Sequence, residues 1–130
     1  MEIPDPAAIT RGYIQAVSDG DLRPLEQLLS DELVATIGGA SFTKREWIDA
    51  LERLLPVLLG NKIRELFVDG ATTCVVYDFV SDTPAGSVTC VEVLTTRGGE
   101  IRTIELIFDG LAFAPVGQAI KDRAAAATTG

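Results

Sequence analysis

Hydrophobic positions along this chain recur with two different periods. In roughly the first 60 residues they fall three and four apart, as on helices; beyond that they alternate or run on, as in strands. Asp5 and Pro6 supply an N-cap and a first helical position, and Ile9, Tyr13, Ala16 and Val17 share one face of the helix that follows. Asp19-Gly20 closes it. Asp21 is placed to cap a short second helix with Pro24 in its tolerated first turn. Leu25, Leu28 and Leu29 form its buried side, and Ser30-Asp31 is expected to end it. Residues 33–37 read as a short strand stopped by Gly38-Gly39. The third helix is the best marked. Thr43 and Glu46 spell a capping box, and Phe42 and Trp47 stand where a hydrophobic staple sits. Trp47, Leu51, Leu54, Leu55 and Leu58 make one apolar stripe, Pro56 is expected to loosen the last turn, and Gly60 to end it.

Residues 62–68, 72–80, 88–96 and 101–108 then read as the strands of a meander, joined by Asp69-Gly70, by the turn-rich stretch 81–86 and by Gly98-Gly99. From Leu111 the pattern weakens. Residues 121–130 are expected to be a flexible tail, leaving residues 1–120 as one domain. The order predicts an α+β fold: three N-terminal helices on one face of a curved, mostly antiparallel sheet. Such a sheet forms a cone with an apolar interior, the natural place for a small ligand.

The hairpin over residues 87–109 carries the chemistry. Glu92 and Glu105 interrupt its two apolar runs. If Glu92 points with Cys90 and Leu94, and Ile104, Leu106 and Phe108 line the same face, Glu105 points away. Glu92 is then either a carboxyl enclosed among apolar side chains, costly unless neutral or hydrogen-bonded, or a strand glutamate facing water. The apolar outer face, with Val75, Tyr77, Phe79, Val91, Val93 and Ile107, predicts a homodimer.

Charge narrows the partners. A net charge of −8 argues against nucleic acid and against an anionic membrane surface. No apolar run reaches the length of a membrane span, and the N-terminus has no signal-peptide pattern, so a cytoplasmic location is the default expectation. The chain has no histidine, which removes the commonest base, the commonest metal ligand and every Ser-His or Cys-His arrangement. Cys74 and Cys90 lack the spacing of a zinc motif and read as reduced thiols, and no glycine loop suits a nucleotide. No metal or cofactor is implied.

The element order, the phrase YIQAVSDGDLRPLEQLLSDELVATI and the ending VEVLTTRGGEIRTIELIFD resemble the nuclear transport factor 2-like superfamily, above all its ketosteroid-isomerase-like and SnoaL-like branches. The resemblance covers about residues 5 to 110 and speaks to fold more than activity. In the isomerases a tyrosine on the first helix and a protonated aspartate early in the penultimate strand donate to a developing oxyanion; Tyr13 and Glu92 stand at those places. The aspartate base at the end of the first strand falls at Ile37, which takes no proton. In the superfamily's epoxide hydrolases one acid corresponds to Asp78, but Val76 replaces the arginine and Leu106 the second acid. The cyclases' acid-base aspartate also falls at Leu106, and their histidine has no counterpart.

The resemblance implies catalytic candidates Tyr13, Glu92 and, as a relocated base, Asp78. Val17, Trp47, Leu51, Leu55, Val76, Cys90, Leu94, Ile104, Leu106 and Phe108 are expected to line the pocket. Three readings stand: an isomerase, cyclase or lyase on an apolar carbonyl compound, a non-catalytic binder of a hydrophobic small molecule, and a dimerisation module whose cone is only a core.

Overall fold

The computed structural model describes residues 5–129. Helix α1, Pro6–Ser18, begins where the Asp5 carboxylate accepts from the Ala7 N–H, and ends at Gly20, whose positive φ of 72° suits the left-handed turn that follows a helix. A four-residue helix α2, Leu25–Leu28, leads directly into strand β1, Leu29–Ile37. Two readings change here. Asp21 does not cap α2; it accepts from the backbone and guanidinium of Arg23. Ser30 and Asp31 lie in β1 rather than ending a helix, because Leu29, fully buried, already has extended backbone. The Gly38-Gly39 turn then folds a short strand β2, Ala40–Phe42, back onto β1, an element the sequence pattern did not reveal.

Helix α3, Lys44–Leu54, has the capping box intact: Thr43 Oγ1 accepts from the Glu46 N–H, and Glu46 accepts from the Thr43 N–H. The Phe42 and Trp47 rings pack with centroids 5.6 Å apart, as the staple requires. Pro56 tightens the next turn into a 3-10 helix, Leu55–Val57, and the chain is already extended at Leu58. Strands β3 (Leu58–Asp69), β4 (Thr72–Ser81), β5 (Ser87–Arg97) and β6 (Glu100–Phe108) follow as a meander. Gly98 and Gly99, with φ of 61° and 84°, make the tight β5–β6 turn whose twist matches its strands.

The sheet has six strands in the order β2-β1-β6-β5-β4-β3. Every neighbouring pair is antiparallel except β1 with β6, which run parallel. The fold is α+β with a curved, unclosed sheet. Its concave face carries Tyr77, Cys90, Glu92, Leu94 and Ile104, and α1 and α3 contribute Tyr13, Ile14, Val17, Trp47 and Leu51 to the same core.

Two corrections bear on the site. Residues 110–129, read as patternless and ending in a tail from 121, form a helix α4, Gly110–Thr129, with Val116 fully buried (Gly130 lies outside the described residues). Asp109 caps it, accepting from the N–H groups of Leu111 and Ala112. The faces of β4 are the reverse of those expected: Val75, Tyr77 and Phe79 point into the cone, while Val76 and Asp78 lie on the outer face. Register decides this, because Tyr77 pairs with Cys90 and Val75 with Glu92, and paired residues share a face.

Candidate ligand pocket

The β5–β6 turn sets Glu92 opposite Leu106 on one side, and the β4–β5 register sets it opposite Val75 on the other. Tyr77 is then its diagonal neighbour, within reach of a long side chain. The Tyr77 hydroxyl donates to Glu92 Oε2 at 2.6 Å, and the Tyr13 hydroxyl, brought across from α1, donates to Oε1 at 2.9 Å. Trp47 completes the chain from α3, its indole N–H donating to the Tyr13 oxygen at 3.1 Å. Three elements thus converge on one carboxyl that is 2% exposed.

Burial sets the electrostatics. It raises the Glu92 pKa above the ordinary carboxyl value, and the hydrogen bonds from Tyr77 and Tyr13 offset the rise only in part. Tyr13 and Tyr77 are raised well above the usual phenol range, first by burial and then by the neighbouring Glu92 charge. The same causes, in the same order, push the Cys90 thiol up to about 12, so it is a neutral thiol and no nucleophile.

Beside this cluster lies a cavity of about 190 Å3. Of the expected site residues, Tyr13, Val17, Trp47, Leu51, Cys90, Glu92, Leu106 and Phe108 line it. Five do not. Asp78, on the outer face, accepts from Thr89 Oγ1 at 3.0 Å and pairs with Arg64 at 3.7 Å. Val76 shares that outer face. Leu94 and Ile104 are on the concave side but sealed in the core beyond the cavity. Leu55, in the 3-10 turn, borders a surface depression with Ile48 and Arg45 instead.

Sequence reasoning missed several lining groups. Ile14, Ala50 and Leu54 extend the two helical faces, and Ile37 stands on the wall at the end of β1. Tyr77 and Phe79 went unseen because β4 is apolar on both faces; reading Asp78 as its water-facing marker would have turned them inward. Phe113 and Ile120 come from α4, where the spacing Phe113-Val116-Ile120 was an available helical signal. Asn61 had no signal; its side-chain oxygen is buried without a hydrogen-bond partner.

Glu92 is the one carboxyl lining the cavity among the described residues. The arrangement therefore has a single proton-exchanging acid, two neutral phenols and an apolar wall.

The architecture is that of a known fold. The chain has the nuclear transport factor 2-like fold, also described as cystatin-like and shared with ketosteroid isomerase-like proteins. A protein of this kind from Cytophaga hutchinsonii superposes with a TM-score of 0.73 at 13% identity, covering 88% of this chain and 97% of that one. IdmH of Streptomyces antibioticus, proposed to be a polyketide cyclase, gives 0.76 at 17% identity over 88% and 99%. A protein with the ketosteroid isomerase-like fold from Catenulispora acidiphila, in complex with trimethylamine, gives 0.70 at 17% over 84% and 92%. No family model and no curated protein sequence matches the chain.

Proposed function

We propose that the cone binds a small apolar molecule bearing a carbonyl or phenol oxygen, and that Glu92, held in place by Tyr13 and Tyr77, recognises that oxygen. The observation that carries this reading is the enclosed Glu92 carboxyl on the wall of an otherwise mainly apolar cavity. Both carboxyl oxygens accept from the phenols, Oε1 from Tyr13 and Oε2 from Tyr77, so both phenol hydrogens are held by Glu92. The Tyr13 oxygen also accepts from Trp47. In the neutral form the carboxyl keeps one proton of its own. The donor offered to a ligand is therefore the Glu92 carboxyl, positioned by Tyr77 and Tyr13.

Binding is favoured over isomerisation. Abstracting a proton next to a carbonyl needs a base within reach of the carbon. Ile37 fills the wall where that base would stand, and Asp78 faces the opposite side of the sheet.

Calorimetric titration with an alkylphenol and with the matching alkylbenzene tests the reading. Glu92→Gln keeps an N–H to donate to the ligand oxygen and should bind the phenol as the parent does. Glu92→Leu should weaken the phenol about tenfold, roughly the worth of one hydrogen bond, and leave the alkylbenzene little changed. Equal loss of both ligands, or of neither, would mean that Glu92 does not recognise the oxygen.

A further inference from the structure

Cavity size and the placement of α4 carry the reading of the pocket one step further, to the size of the ligand. We infer that the C-terminal helix is the wall that limits this pocket to a single-ring compound, and that polycyclic ligands are excluded by Phe113 and Ile120. The inference rests on the proposed binding function and adds a substrate class to it.

An apolar cavity of about 150 Å3 holds benzene. At about 190 Å3 this one holds a ring and a little more. The excess matches one or two further heavy atoms, given that a water molecule's share of the liquid is about 30 Å3. Pockets for drug-sized ligands begin near 300 Å3, so a two-ring or four-ring skeleton needs more space than the cavity has.

The boundary responsible can be named. Phe113 enters the lining from α4 with its ring centroid 4.6 Å from that of Phe108 and 5.5 Å from that of Phe79, which fixes it between β6 and β4. Ile120, two turns on, closes the same side. Val116, between them in sequence, is fully buried, so the helix is seated by its apolar stripe. Farther along, the Arg123 guanidinium forks across both oxygens of Asp82 at 3.0 Å and also donates to the Pro56 carbonyl. That contact ties α4 to the 3-10 turn after α3 and to the β4–β5 connection. The rest of the wall is strand and helix core with little freedom to retreat, so α4 is the side on which the volume is set.

The test uses three phenols of increasing size, 4-methylphenol, 1-naphthol and estradiol, titrated calorimetrically into the full chain. The parent protein should bind 4-methylphenol at least tenfold more tightly than 1-naphthol and show no heat with estradiol. Phe113→Ala should reverse the order of the first two, and Ile120→Ala should shift it the same way if Phe113→Ala fails to fold by far-UV circular dichroism. Estradiol binding as tightly as 4-methylphenol, or an unchanged order in both folded variants, would overturn the size limit while leaving the binding function standing. Binding of none of the three phenols would overturn both.

Discussion

A glutamate that is 2% exposed keeps its place only because two phenols and a raised pKa remove the cost of an enclosed charge. Its folded-state pKa lies above the unfolded value of about 4.3, so between the two the native state holds the extra proton. Glu92's contribution to stability is complete below the unfolded value and is lost as pH rises through the folded one. Subtracting the stability curve of Glu92→Gln from that of the parent, by urea denaturation in a pH series rising from the unfolded value of about 4.3, should give a difference that moves against the parent with rising pH. A flat difference would mean that Glu92 titrates as an exposed carboxyl. Ligand affinity should fall over the same window in the parent and stay level in Glu92→Gln. Glu92, Tyr13 and Trp47 were legible in sequence because each sits at a marked position: a lone acid in an apolar run, a helix face, a staple. Tyr77 was not. A strand apolar on both sides gives no cue to its inner face, and the β4–β5 connection has no turn signature short enough to fix register. Asp78 was misplaced for the same reason, since the two residues are adjacent and must point oppositely.

Among the elements, α3 shows how local chemistry and tertiary need can agree. The Thr43 cap and the Phe42–Trp47 contact start the helix one turn before the residues that line the cavity. Thr43→Ala should cost about 1 kcal/mol in chemical denaturation. No measurable loss would show that packing of Trp47 alone fixes the start. Strands β3 to β6 were legible from period and turn residues, with boundaries moved outward by a few positions. Helix α4 was not, because alanines and a proline dilute its stripe; Pro115 removes a backbone donor inside the helix, and Phe113, Val116 and Ile120 carry most of its burial. Strand β2, only three residues long, is held by its pairing with β1 rather than by any pattern of its own.

At the scale of the molecule, the outer face of the sheet is apolar in rows. Ile107, Val91 and Val76 align across β6, β5 and β4, as do Val93, Cys74 and Phe67 across β5, β4 and β3. Ile107 is 49% exposed and Phe67 59%, with Val34 at 49% farther along on β1. Three of the six residues first assigned to this face, Val75, Tyr77 and Phe79, are turned inward, but the face keeps enough apolar surface that we propose a homodimer through it. Sedimentation at micromolar concentration should show a dimer, and Ile107→Glu should shift it to monomer with the circular dichroism unchanged. A monomeric parent would count against the proposal.

The parallel pairing of β1 with β6 has a consequence for how the chain reaches this shape. The meander can zip up hairpin by hairpin, but β1 joins it only when residues as far apart in sequence as Leu29 and Ile101 meet, a slow and non-local step. Until then Ile37 has no Leu106 beside it, and the cavity is missing a wall. A molecule that fits the cone therefore has nothing to hold on to in the half-assembled chain. By mass action it favours the finished fold, by about 2.7 kcal/mol at a hundredfold excess over its Kd. Cargo and folding aid would be one and the same compound.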